Sequence, residues 1–333
     1  MSENDQLVMR RAIELAAGVR SSTSPNPWVG AVVITTDGAA FEGATEPPGQ
    51  RHAEVVALDA ARAAGKDTTG ATVYSTLEPC SHHARTPPCV DGLIAAKVAR
   101  VVVGIEDPDE RVTGKGVAAL RDAGIDVEVG VGADEVRAQL APYVKHRTTG
   151  RPWVLLKLAA SLDGRTAAPD GSSQWITSAA ARADSHRLRA ESDAVIVGAG
   201  TVRSDDPSLT VRDAQGNDPV RVVLGKAPAG AKVHPCIELD GPLPEVLDEL
   251  GKRGIVQAMV EGGATVAGAF HREGLVDRYV LYLAPALFGG DDARPLFNGQ
   301  GASTIDDVWR GRITNVERLG DDVKVELEPC SPA

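Results

Sequence analysis

His52, Glu54, Cys80 and Cys89 carry the chemistry most readily read from this chain. One imidazole and two thiolates meet the three-ligand requirement of a hydrolytic zinc site, whose tetrahedral fourth position stays open for water. Zinc brings the pKa of bound water towards neutrality, and deamination at an aromatic amidine carbon also needs a proton carrier for the ring nitrogen and the departing ammonia. Glu54, two residues after His52 and not required as a ligand, fits that role. His82 and His83 lie between the two cysteines and are rival ligands, although capping a bound substrate suits them better once three donors are in place.

These residues need elements to hold them. HAEVVALDAARAAG is apolar-periodic and predicts a helix over 52–64, with Val55, Val56, Leu58 and Ala61 turned to a core and both His52 and Glu54 entering one pocket from its first turn. YSTLEPC reads as a strand over 71–77 leading into a helix, with Pro79 in the first turn and Cys80 at its positive end. Around them, alternating helical and strand patterns at 5–20, 29–35, 90–97, 100–105, 115–123 and 125–129 predict a layered α/β sheet. A helical segment at 133–146 runs into HRTTGRP, where Gly150 and Pro152 punctuate the chain. The boundary is placed there, giving domains 1–147 and 150–333. The second half opens on WVLLKLAAS, a strand buried on both faces, and further runs at 193–198, 219–224, 255–260, 278–284 and 322–327 alternate with helical patterns.

Composition narrows the function classes. At 333 residues the chain has room for about two cores, and 43% hydrophobic residues with only 4% aromatics point to aliphatic, alanine-rich packing. The polar start MSENDQ and the lack of any 18-residue apolar run predict neither signal peptide nor membrane span, and hence a cytoplasmic enzyme. Of four cysteines, two go to metal, and Cys236 and Cys330 are expected as free thiols. A net charge of −11 opposes nucleic-acid backbones and disfavours an editing deaminase.

The second half needs a cofactor cradle. VGAGTVRSDDP places Gly198 and Gly200 after a strand, but Arg203 stands where a third glycine should be, so a Rossmann fingerprint fails. MVEGGATVAGAF is the better cradle: a strand ending near Glu261, then Gly262 and Gly263 leading into a helix with free N–H groups for phosphate oxygens. Close packing alone would also explain that glycine pair.

HAEVVAL with PC-x8-C and HHARTPPC, together with SPNPWVGAVV and IEDPDERVTGKG, resembles the deaminase half of the bifunctional riboflavin-biosynthesis deaminase/reductases. KLAASLDGRTA, SSQWITS, VGAGTVRSDDPSLTVR, VEGGATVAGAF and LYLAPALFGG resemble its reductase half, in the same order. The resemblance implies a cytidine-deaminase-like three-layer α/β/α domain followed by a dihydrofolate-reductase-like α/β domain. It implies hydrolytic deamination of 2,5-diamino-6-(5-phosphoribosylamino)pyrimidin-4-one at zinc, then NADPH reduction of the ribosyl group to ribityl. Zn2+ and NADPH are the implied cofactors, a phosphorylated pyrimidine the partner, and a homo-oligomer (dimer or tetramer) the assembly. Carried over, Asn26 reads the pyrimidine edge. Ala159, Trp175, Thr201, Asp205 and the turn Gly263, Ala264, Thr265, Val266, Ala267, Gly268 and Ala269 meet NADPH. Ser173, Arg189, Leu209, Arg212 and Glu261 hold the substrate, guanidinium forks suiting its phosphate. Asp205 or Lys157 assists ring opening.

The chain departs from the family at Ala84 (usually glycine), at Thr45 to Pro48 (where a histidine is usual, leaving Arg85 and Lys115 as cations), and at Gly225, which opens a shortened connection to Pro244. Two other classes stay in view: a stand-alone nucleoside or base deaminase whose second half only dimerises, and a binding protein with structural zinc. An unligated Glu54 speaks against the latter.

Overall fold

A computed structural model describes residues 2–82, 87–110 and 112–330. The chain divides into two compact units, Met1–Gly150 and Arg151–Ala333.

The first unit contains α1 (Glu3–Gly18), α2 (Arg20–Thr23), β1 (Gly30–Ile34), β2 (Ala40–Ala44), α3 (Ala53–Ala63), β3 (Thr72–Leu77), α4 (Cys89–Ala95), β4 (Arg100–Ile105), α5 (Lys115–Asp122), β5 (Asp126–Val129), α6 (Ala133–Gln139) and α7 (Ala141–Thr149). Its sheet runs β2-β1-β3-β4-β5, with β1 antiparallel to both neighbours and β3, β4 and β5 parallel. Helix α1 packs with α6, and α3 with α4 and α4 with α5, which gives the three α/β/α layers. Ser2 and Asp5 close a capping box at the start of α1, and Met9, Ala12 and Ala16 turn inward at helical spacing. At Gly43 in β2 a Cβ would lie 2.3 Å from the Ala53 carbonyl oxygen, so the missing side chain is what lets α3, and with it His52, rest directly on the sheet.

Several predicted elements need correction. Helix α3 buries Ala53, Glu54, Ala57, Leu58 and Ala61, while Val55 and Val56 are only half-buried: the inward stripe lies one step off the valines because Glu54 belongs to it. Among the described residues no helix begins at Pro79; α4 starts at Cys89 after the extended Pro88, in line with the helical pattern read at 90–97. The segment 133–146 is two helices, parted at Leu140 where Pro142 restarts the turn. Strand β2 went unpredicted; only Phe41 and Gly43 alternate inward there.

The second unit contains β6 (Trp153–Ser161), β7 (Arg165–Ala167), α8 (Ala179–Ala190), β8 (Ala194–Gly198), α9 (Ala199–Asp205), β9 (Val220–Leu224), β10 (Ile237–Leu239), α10 (Leu243–Lys252), β11 (Gln257–Val260), α11 (Ala264–Arg272), β12 (Arg278–Ala284), β13 (Arg294–Pro295), β14 (Gly311–Leu319) and β15 (Asp322–Pro329). The main sheet runs β10-β9-β8-β11-β6-β12-β15-β14 and is parallel as far as β12. β6 lies between β11 and β12, which accounts for its apolar run, and two aliphatic clusters fill the faces around Phe270 and Tyr282. The C-terminal ends of β6, β8 and β11 share one edge, where parallel α/β sheets place ligands. No helix among the described residues is long and apolar enough to cross a membrane.

Candidate active sites

His52 caps the N-terminus of α3 with an extended backbone, Cys89 opens α4, and Cys80 sits in the loop that follows β3. His52 Nδ1 lies 3.2 Å from Cys89 Sγ and 3.6 Å from Cys80 Sγ, and all three donor atoms fall within 4.8 Å of one another. With Zn–N near 2.0 Å and Zn–S near 2.3 Å, a tetrahedral ion separates its N and S donors by about 3.6 Å, so the three residues fit zinc without rearrangement. The Cys89 N–H donates to Cys80 Sγ at 3.3 Å. The positive end of a helix therefore does face the Cys80 sulfur, as expected, although the helix is the one begun by Cys89. Hydrogen bonding between the thiols lowers Cys80 and raises Cys89, and Cys80 raises His52. A dication displaces protons held in this way.

Glu54, 3% exposed, projects from the first turn of α3 beside these donors, and burial pushes its carboxyl group up. A proton carrier benefits from that direction. A cavity of about 620 Å³ receives His52, Glu54 and Cys80, and Asn26 lines the same space. His82 lines it too without joining the donor triangle. The expectations about His83, Ala84 and Arg85 lie outside the described residues, and Lys115 is not part of the lining.

Three further residues shape this cavity. Glu78 accepts four backbone N–H groups, from Asp107 (3.1 Å), Gly114 (2.9 Å), Gly116 (2.8 Å) and Val117 (3.0 Å), which clamps the 107–117 loop against the end of β3. Tyr143 donates its hydroxyl hydrogen to Asp107 at 3.2 Å, and burial holds the Asp107 carboxyl group up. Glu78 in LEPC and Asp107 in EDP were visible as carboxylates beside the motifs, but nothing local disclosed their partners.

The second unit holds a cavity of about 500 Å³. Ala159, Ser173, Trp175, Arg189, Thr201, Asp205, Leu209, Arg212, Glu261, Gly263 and Ala264 all line it, with Lys157. Thr201 Oγ1 accepts the Gly263 N–H at 3.2 Å, tying α9 to the glycine turn that starts α11. Thr265, Val266, Ala267, Gly268 and Ala269 do not line this cavity: a helix presents its end to a ligand, and here Ala267 and Gly268 turn into the core. Glu261 grips Arg189 through two hydrogen bonds, to Nε and, at 2.9 Å, to a terminal nitrogen, and Lys157 Nζ stands 3.8 Å from the same carboxylate. Burial alone would raise Glu261, but Arg189 holds it down, and burial lowers Lys157. Arg212 donates to Ser208 Oγ at 3.0 Å and lies 3.0 Å from His186 Nε2. The two arginines thus differ, Arg189 committed to a carboxylate and Arg212 more open to an anion.

Residues 2–105 match the family described as the cytidine and deoxycytidylate deaminase zinc-binding region, and residues 152–325 match the RibD C-terminal domain. Riboflavin biosynthesis protein RibD of Escherichia coli (strain K12) is 39% identical, with 97% of this chain and 99% of that protein covered. The protein of that name from Mycobacterium tuberculosis is 44% identical, with 96% of each covered. Among solved structures, Acinetobacter baumannii RibD superposes with a TM-score of 0.91 at 41% identity, covering 98% of this chain and 99% of that one. The diaminohydroxyphosphoribosylaminopyrimidine deaminase/5-amino-6-(5-phosphoribosylamino)uracil reductase of Thermotoga maritima does so with 0.89 at 36% identity, covering 98% and 99%. Two domains, a metal-ready triad beside a buried acid and a separate glycine-edged cavity agree with these matches: the chain belongs to the RibD family of bifunctional riboflavin-biosynthesis enzymes, a zinc deaminase joined to an NADPH-dependent reductase.

Proposed function

We propose that residues 1–147 deaminate 2,5-diamino-6-(5-phosphoribosylamino)pyrimidin-4-one and that residues 150–333 reduce the ribosyl group of the product to ribityl. The observation that carries the first step is the His52, Cys80 and Cys89 triangle with Glu54 beside it in one cavity. His52, Cys80 and Cys89 hold the ion, and zinc so bound lowers the pKa of water towards neutrality. Glu54 would take one proton from the attacking water and give it to the ring nitrogen as hydroxide adds to the carbon. It would then take the proton of the newly added hydroxyl and give it to the amino group, which leaves as ammonia as the C–N bond breaks. Asn26 orients the ring with one donor and one acceptor.

In the second unit, NADPH supplies the reducing equivalents. Thr201, Asp205, Ala159, Trp175 and the Gly263–Ala264 turn bind it, and Ser173, Leu209, Arg189, Arg212 and Glu261 hold the substrate. Lys157 or Asp205 gives a proton to the ribose ring oxygen as the ring opens. Thr265 to Ala269 serve by fixing the turn. The reading includes a cytoplasmic homo-oligomer, dimer or tetramer, which light scattering on the purified chain checks.

Ammonia and NADPH are to be followed with the full chain and the diaminopyrimidine substrate. Ammonia release without NADPH, and NADPH oxidation only after deamination, are expected. Chelation should stop the first step and spare the second when deaminated substrate is given. Metal-replete protein that releases no ammonia would overturn the reading.

A further inference from the structure

Arg147 lies on α7, four residues after Tyr143 and therefore on the same helical face, and both line the 620 Å³ cavity that contains His52, Cys80 and Glu54. Its guanidinium stacks on the Tyr143 ring, 5.0 Å from the centroid. The Tyr143 hydroxyl is spent on Asp107, so the ring is fixed and the stacked guanidinium is fixed with it. Arg147 Nε is buried and meets no hydrogen-bond acceptor among the described residues.

Charge points the same way. The described lining carries four carboxylates, on Glu54, Glu78, Asp107 and Asp109, against one guanidinium or ammonium group, that of Arg147; the remaining basic side chains are the imidazoles of His52 and His82. Such a cavity repels an anion unless the cation meets it. A phosphorylated pyrimidine has a phosphate ester to place here, and a planar, preorganised guanidinium is the group best shaped to take one.

We infer that Arg147 is a specificity-determining residue of the deaminase cavity, binding the phosphate of the substrate and so selecting phosphorylated over dephosphorylated pyrimidines. This rests on the deaminase reading above. A purely structural part, as a partner for the raised Asp107 carboxyl group, is the competing role.

The test compares wild type, Arg147→Gln and Arg147→Lys as full chains on the phosphorylated substrate and on its phosphatase-treated form, measuring ammonia. Gln keeps the planar stacking group and removes the charge, and zinc content with reductase turnover on each preparation certifies folding. Phosphate selection gives a wild-type preference in kcat/KM that falls by about tenfold or more in Arg147→Gln, through KM, with partial recovery in Arg147→Lys. A preference unchanged in Arg147→Gln, including one in which both substrates lose kcat equally, overturns the inference while leaving the deaminase reading intact. Wild type that releases ammonia from neither substrate removes the deaminase reading itself.

Discussion

Gly116 donates its N–H to Glu78 Oε1 at 2.8 Å, and a Cβ on Gly116 would stand 2.0 Å from the Pro79 carbonyl oxygen. The first turn of α5 is thus pressed against the residue that precedes Cys80, a member of the candidate donor triangle. Gly116→Ala must displace Pro79, and backbone shifts forced by overpacking cost about 1–3 kcal/mol. Expected results are a lower unfolding midpoint for the first unit and weaker zinc retention, with reductase turnover kept. Zinc affinity equal to wild type would show that the contact does not reach Cys80. Glu78→Gln keeps one acceptor oxygen and turns an amide donor towards two N–H groups. Its cost is about 3–6 kcal/mol, two bonds to a charged group being lost at about 1.5–3 each. Faster hydrogen exchange over 107–117 is the readout.

Glu54 is buried against the donor triangle but is not needed to complete it. Glu54→Gln is isosteric and cannot carry a proton, so ammonia release should fall by about 10²- to 10⁴-fold while zinc stoichiometry and reductase turnover stay at wild-type values. Loss of zinc in this variant would make Glu54 a ligand and leave the proton transfers without a carrier.

His52, Glu54, Cys80 and Cys89 were legible in the sequence because metal chemistry dictates residue type, and local spacing placed two of them on one helical turn. The strands β4 and β6 were legible for a similar reason: burial on both faces leaves largely apolar runs. The role of Glu78 was not, because its four donors come from 29 to 39 residues further along the chain. Arg147 was hidden likewise, at the end of a helix whose face only the folded cavity defines. Strand β14 is exposed along nearly its whole length and therefore shows no inward alternation. Helix α4 was legible from its pattern at 90–97, whereas the helix expected after Pro79 is not found among the described residues: a proline tolerated in a first helical turn is equally compatible with a loop.

Asp5, at the start of α1, receives Arg100 at 2.9 Å and the Tyr74 hydroxyl at 2.7 Å. Arg100, foremost, holds its carboxyl group well below the ordinary 3.8. A carboxylate depressed in the folded state contributes stability that is whole above the unfolded value and is lost as pH falls through the folded one. The first unit should therefore weaken from about pH 4 downward. Asp5→Asn should be less stable near pH 7, by about 1–3 kcal/mol for charge-assisted bonds lost, and should lose less on acidification. Denaturation midpoints at pH 7 and below pH 3 decide it: parallel losses in both proteins would remove Asp5 from the acid response.

Glu261 and Arg189 form a two-bonded ion pair with side chains 8% and 10% exposed, at the floor of the reductase cavity. Removing one member of such a pair leaves the other charged and desolvated, at a cost of about 3–5 kcal/mol, whereas replacing both with apolar groups is often near neutral. Glu261→Gln should therefore destabilise the second unit by that amount and abolish reduction. The double variant Glu261→Leu/Arg189→Met, apolar at both positions, should recover much of the stability without restoring reduction, because the cavity then lacks both the fixed guanidinium and the carboxylate beside Lys157. Urea midpoints give the stability arm, and NADPH oxidation with deaminated substrate gives the other. Full turnover in the stable double variant would reduce the pair to a structural element and move substrate binding to Arg212 and Ser173.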